Sequence, residues 1–233
     1  MKITFRVVFN MVKTKRFVLF LFIFLHCGPV GSKAAKVLLI RHGEKNAKSK
    51  YGDVHLNYLG KVRSEALANL FFPSSDAFTS SEFDLKLPPV SLVIAQNASD
   101  MFPSKRKMET AQPIAKAGNI PLAIYDHNDL DGLHARIISE ADSGNVSLVV
   151  WDHSTIGYVA DDLLEVQRGT VRWPMDRYDV IWEIDLKEKK MLQYCQHLLF
   201  GDLWCPVNPI IVFPFLSSSG KPTSPEAEKN VLA

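Results

Sequence analysis

The stretch KVLLIRHGEK, Lys36 to Lys45, places Arg41, His42, Gly43 and Glu44 directly after four aliphatic residues. Asp152 and His153 follow a second apolar run, SLVVW, and the basic segment SKRKMETA puts Arg106 at the opening of a helical pattern. A neutral imidazole is a nucleophile at physiological pH, and attack on phosphorus splits one difficult transfer into two easier steps. Arginine offers a planar fork of donors that matches phosphate oxygens, and a helix start favours an anion. Two arginines, two histidines and helix N-termini converging on one crevice would therefore bind a tetrahedral dianion, and a phosphoryl group fits best. In that reading Arg41 clamps, His42 attacks, and Gly43 lets the backbone approach closely.

These residues meet only if the elements carrying them are neighbours. Strand-like runs at 36–40, 91–96 and 146–151 alternate with segments of helical period. Leu59, Val62, Ala66 and Leu70 predict a helix over 57–71, and others are expected at 105–118, interrupted by Pro113, at 132–141, and from Ser154 onward. Trp182, Ile184 and Leu186 alternate with Glu183 and Asp185, which predicts a hairpin near the end. The expected fold is α/β, a three-layer sandwich with a mainly parallel sheet, helices on both faces and an antiparallel edge hairpin. In such sheets ligands bind outside the carboxyl ends of the strands, where Arg41-His42 and Asp152-His153 both sit.

The chain has 233 residues, 47% apolar and 22% charged, which suits one globular domain. Before it, five basic residues precede the apolar run FVLFLFIFL, Phe17 to Leu25, and small residues follow. That pattern predicts a secretory signal peptide over 1–34, cleaved after Ser32 or Ala34, with an uncleaved anchor or a start at Met11 as alternatives. The domain is expected over 35–215, followed by a Ser/Pro-rich disordered tail over 216–233. The net charge of +2 belongs to the leader: beyond residue 32 there remain 22 basic against 25 acidic residues, a net of −3. No nucleic-acid footprint remains, and no membrane contact is expected once the leader is cleaved. Cys195 and Cys205 form a disulfide or stay as two thiols, and NAS at Asn97 and NVS at Asn145 are glycosylation sequons.

Other chemistries find less support. His55, His127, His134 and His197 share no spacing suited to a zinc hydrolase, so no metal and no cofactor are expected. Trp151, Trp173, Trp182 and Trp204 read as core or rim aromatics rather than platforms for bases.

LIRHGEK, LNYLG, KRKMETA and VVWDHS, in this order over Lys36 to Gln167, resemble the histidine phosphatase superfamily, which includes phosphoglycerate mutase and acid phosphatases. The resemblance implies that His42 becomes phosphorylated, that Arg41 and Arg106 bind phosphoryl oxygens, and that His153 completes the pocket. It also implies a carboxylic acid after the helix carrying Arg106, where the chain reads IYDHNDLDG; Asp129 is the candidate, with Asp126, Asp131 and Asp152 as alternatives. Asp152 stands where the family commonly has glycine, and NASDMFP intervenes before Arg106. The expected activity is a secreted, metal-independent phosphatase acting on a small phosphorylated substrate. Its alternatives are a phosphoester-binding protein that has lost turnover and a mutase-type phosphotransferase, the latter opposed by the leader.

Overall fold

Aliphatic runs without polar interruption need cover on both faces, and the sheet supplies it. The computed structural model describes residues 35–46, 54–73, 85–203 and 210–211. The expected leader and tail, with Cys27, Trp204 and Cys205, lie outside the described residues. The described residues from Ala35 onward belong to one compact unit.

In chain order the elements are β1 (Lys36–Arg41), α1 (Tyr58–Phe71), β2 (Leu92–Gln96), α2 (Arg106–Gly118), β3 (Leu122–Tyr125) and α3 (Leu130–Asp142). They continue with β4 (Ser147–Trp151), α4 (Ile156–Leu164), β5 (Val180–Asp185), β6 (Lys190–Cys195) and β7 (Ile210–Ile211). The sheet runs β3-β2-β4-β1-β5-β6-β7. Strands β3, β2, β4 and β1 are parallel, and β5, β6 and β7 add the antiparallel edge. This is the expected α/β sandwich. The hairpin is there too, but β5 pairs with β1, so β1 is interior.

Strand periodicity divides the core in two. Val37, Leu39, Val149 and Trp151 pack on the face that buries Leu133 and Ile137 of α3 and Ile156 and Leu163 of α4. Leu38, Ile40, Leu148 and Val150 face the other way, with Leu67 of α1 and Ala111 and Ile114 of α2. Among the described residues, no helix is long and apolar enough to cross a membrane.

Local signals set the helix limits. Asn57 accepts a hydrogen bond from Gly60 N at 2.8 Å, an N-cap that starts α1. Asn119 closes α2 with φ 47°, a left-handed conformation that asparagine tolerates. The helix expected from Ser154 begins two residues later, because Asp152 folds back on Ser154 through its side chain, accepting from Ser154 N at 2.9 Å and from Oγ at 2.7 Å.

An ionic cluster ties the segment after β1 to α1 and to the segment after β6. The buried Arg63 of α1 donates to Glu44 Oε1 at 2.7 Å and 2.9 Å, to both carboxylate oxygens of Asp202 at 2.6 Å and 3.1 Å, and to Gln196 Oε1 at 2.9 Å. Removing one partner of such a group leaves buried charge uncompensated. Close by, the chain passes itself where only glycine fits: a Cβ on Gly60 would lie 2.4 Å from Glu44 O, and one on Gly43 would lie 2.7 Å from Gly60 O.

Arg63→Ala is therefore expected to cost about 3–5 kcal/mol in urea unfolding. Arg63→Lys should recover only part of it, because an ammonium cannot fork between two carboxylates. Gly60→Ala is expected to cost about 1–3 kcal/mol in the same assay through overpacking.

Candidate active site

Parallel pairing of β1 with β4, with Arg41 opposite Trp151, sets the two strand ends side by side. The next residues on each chain are His42 and the pair Asp152-His153. The His42 and His153 rings are 6.4 Å apart between centroids and nearly perpendicular, at 83°. The two strand-end histidines of the sequence therefore share one pocket.

His42 is completely buried. Its Nδ1 lies 2.7 Å from Gly43 O, and because a carbonyl only accepts, Nδ1 carries the hydrogen and Nε2 presents its lone pair. That Nε2 has no hydrogen-bond partner. Burial pushes the imidazole pKa down to about 3, with the charges of Arg106 and Arg41 adding to the effect against the Gly43 carbonyl and Asp152. His42 is thus neutral at physiological pH. The loop after it is fixed by Thr110, whose Oγ1 accepts from Gly43 N at 2.9 Å and donates to Arg106 O at 2.8 Å. The α2 start and the β1 exit are stapled by one hydroxyl.

Arg41 is held from behind. Its Nη1 donates to Met175 O at 2.6 Å and to Arg177 O at 3.3 Å, and its Nη2 donates to Tyr178 Oη at 3.2 Å. The guanidinium also lies over the Tyr178 ring, 3.9 Å from its centroid. Its Nε has no partner. Arg106, the first residue of α2, is buried, and its charge is felt by both Arg41 and His42. Arg41, His42, Arg106 and His153 are therefore brought together as the sequence suggested.

The carboxylates distribute differently. Burial opposes ionisation of Asp152, but the two Ser154 hydrogen bonds and the nearby His153 and His42 overcome it and hold this carboxyl well below the usual range. His153 Nδ1 lies 3.3 Å from Asp152 Oδ1. Burial, Arg41, Lys45 and Arg106 press the His153 pKa down, against Asp152. Asp129 is exposed and caps α3, accepting from Gly132 N at 3.0 Å. Asp126 accepts from Asn97 Nδ2 at 3.0 Å, and Asp131 is an exposed residue of the α3 first turn. Glu44 is engaged by Arg63.

A further cation of the same basic run, Lys107, is also buried. Burial, reinforced by Arg106 and opposed by Asp152, lowers its pKa to about 8. The signal was in the helical period: Lys107, Thr110, Ala111 and Ile114 all lie on the buried face of α2. Tyr178 had no such signal, since it reaches Arg41 from 137 residues away.

Beside the pocket, the β2–α2 and β3–α3 loops line an open groove of about 570 Å³ that includes Met101, Phe102, His127 and Asp129. Phe102 stacks on His127 at 3.8 Å. Burial lowers the His127 pKa, and Asp152 and Lys107 act on it from the pocket side. The groove therefore adjoins the pocket.

No protein-family model matches the chain, and no curated protein sequence matches it. Solved structures are similar in fold. The protein histidine phosphatase SixA complexed with tungstate is 16% identical, with 76% of this chain and 94% of that chain covered and a TM-score of 0.44. The alpha-ribazole phosphatase from Shigella flexneri is 15% identical, with 69% and 95% covered and a TM-score of 0.43. The phosphoglycerate mutase from Plasmodium falciparum is 15% identical, with 73% and 97% covered and a TM-score of 0.38.

Proposed function

We propose that the protein is a phosphohydrolase that cleaves small phosphomonoesters through a phosphohistidine on His42. The observation that carries this reading is the tautomer and burial of that ring: Gly43 O fixes the hydrogen on Nδ1, and the unpartnered Nε2 is a neutral nucleophile in a cationic pocket. The Nε2 lone pair forms the N–P bond as the P–O bond to the leaving group breaks, and the electron pair leaves on that oxygen. Arg41, Arg106 and His153 stabilise charge on the transferring group. Water then attacks phosphorus, the P–N bond breaks, and His42 recovers its lone pair. The chemistry needs no metal.

Two sequence features, the leader over 1–34 and the sequons at Asn97 and Asn145, support a place in the secretory route, and they disfavour a mutase of central metabolism. A second reading, phosphoester binding without turnover, draws on the carboxylates: Asp152 is ionised and Asp129 serves α3 as its cap, so neither is a poised acid. Under the first reading the same fact makes turnover depend steeply on the leaving group.

Turnover of an aryl phosphate in the presence of chelator is the direct test, and His42→Ala should abolish it. Arg106→Ala is expected to lower kcat by about 10²–10³-fold, the usual loss when one charge-stabilising donor is removed. Folded wild-type protein that binds phosphate but turns over no phosphomonoester would establish the second reading. An alkyl phosphate should be cleaved at least about 10²-fold more slowly than the aryl ester, the contribution a missing acid would have made. Equal rates for the two esters would show that a proton donor is present after all.

A further inference from the structure

His42, Asp152 and His153 each bring a ligand atom into one space, and these atoms lie within 4.8 Å of one another. Three details go beyond proximity. First, His42 Nε2 and His153 Nδ1 are both buried and have no hydrogen-bond partner. Two ring nitrogens left unsatisfied beside a carboxylate are costly unless something fills the space between them. Second, His153 Nδ1 lies 3.3 Å from Asp152 Oδ1, about the edge of a tetrahedron whose metal–ligand bonds are about 2.0 Å long. Third, the supporting contacts are those a metal site uses. The other nitrogen of His42 donates to a backbone carbonyl, Gly43 O, and the Asp152 carboxylate is oriented by Ser154 N and Oγ.

We infer that His42 Nε2, Asp152 and His153 Nδ1 form a three-ligand site for a divalent cation of the imidazole-preferring kind, such as Zn²⁺, and that its occupation inhibits phosphoryl transfer. Two imidazoles and one carboxylate suit such an ion and leave a fourth position open. The inhibition follows from the ligand set: the lone pair that would bind the ion is the one that would attack phosphorus, so His42 serves one or the other. Asp152 is what tips the site this way. Its carboxylate repels a phosphoryl dianion but coordinates a cation, and a glycine at that position would do neither. Arg41 and Arg106 act in the opposite sense, and their charge favours an anion in the fourth position over a bare ion. The inhibitory half of this inference rests on the phosphatase reading, whereas binding itself does not.

Co²⁺ titrated into the metal-free protein tests the site directly, because a four-coordinate cobalt ion absorbs visible light far more strongly than the hydrated one. One saturable equivalent per chain is expected. His42→Ala and His153→Gln should each abolish the band, and Asp152→Asn should weaken binding at least about tenfold. Circular dichroism and melting identify any variant that fails to fold, and the remaining folded variants decide the matter. Absence of a saturable band in the wild type, or a band unchanged in the folded histidine variants, overturns the site. Added Zn²⁺ should then abolish aryl phosphate turnover, with chelator restoring it; a band with undiminished turnover overturns the inhibition. A band from a protein with no turnover under chelation upholds the metal site and removes the phosphatase, and turnover without a band does the reverse.

Discussion

The pairing of β1 with β4 is the constraint on which the site depends. A parallel ladder in the register Arg41 to Trp151 brings both strands to an end at the same level. It joins His42 to Asp152 and His153 across more than a hundred residues of chain. Slippage by one residue would turn each side chain to the opposite face. The burial of Leu38 and Ile40 on one side and of Val37 and Leu39 on the other makes that slip costly, because every exchanged side chain would enter the wrong core. The hydrophobic pattern of β1 is thus also what aims His42.

Within that frame the pocket is an arrangement of opposed charges. Burial, helped by Arg106 and Arg41, keeps His42 neutral, the two arginines favour an anion, and Asp152 sits ionised among the same groups. Neither tendency is incidental to the fold. Arg41 is anchored by the carbonyls of Met175 and Arg177 and by Tyr178, and Asp152 is anchored by Ser154 at the head of α4. Groups held this firmly need little reorganisation on binding, which is where electrostatic stabilisation gains its strength. The same rigidity limits what would enter: a phosphoryl group would have to fit against a fixed carboxylate, and a cation against the fixed guanidinium of Arg41.

The groove beside the pocket is less specialised. The groove between the β2–α2 and β3–α3 loops offers Phe102 stacked on His127 and the exposed carboxylates of Asp126 and Asp129. The NASDMFP segment forms one wall of it.

By itself the sequence determined the layer architecture and four of the pocket residues. Aliphatic runs of strand length followed by polar strand ends are local features, and so are the helical periods between them, so Arg41, His42, Arg106 and His153 were legible without coordinates. Lys107 was legible in principle from the spacing of α2, but a lone lysine beside two other basic residues reads as a solvated face. What only the tertiary structure decided was how the remaining groups are spent. Asp129 turns to its own helix, Glu44 to Arg63, Asp152 to Ser154, and Tyr178 crosses from a distant loop to Arg41. A carboxylate's role is set by whichever donors and charges surround it. Some of those arrive from far along the chain, and spacing carries no trace of them.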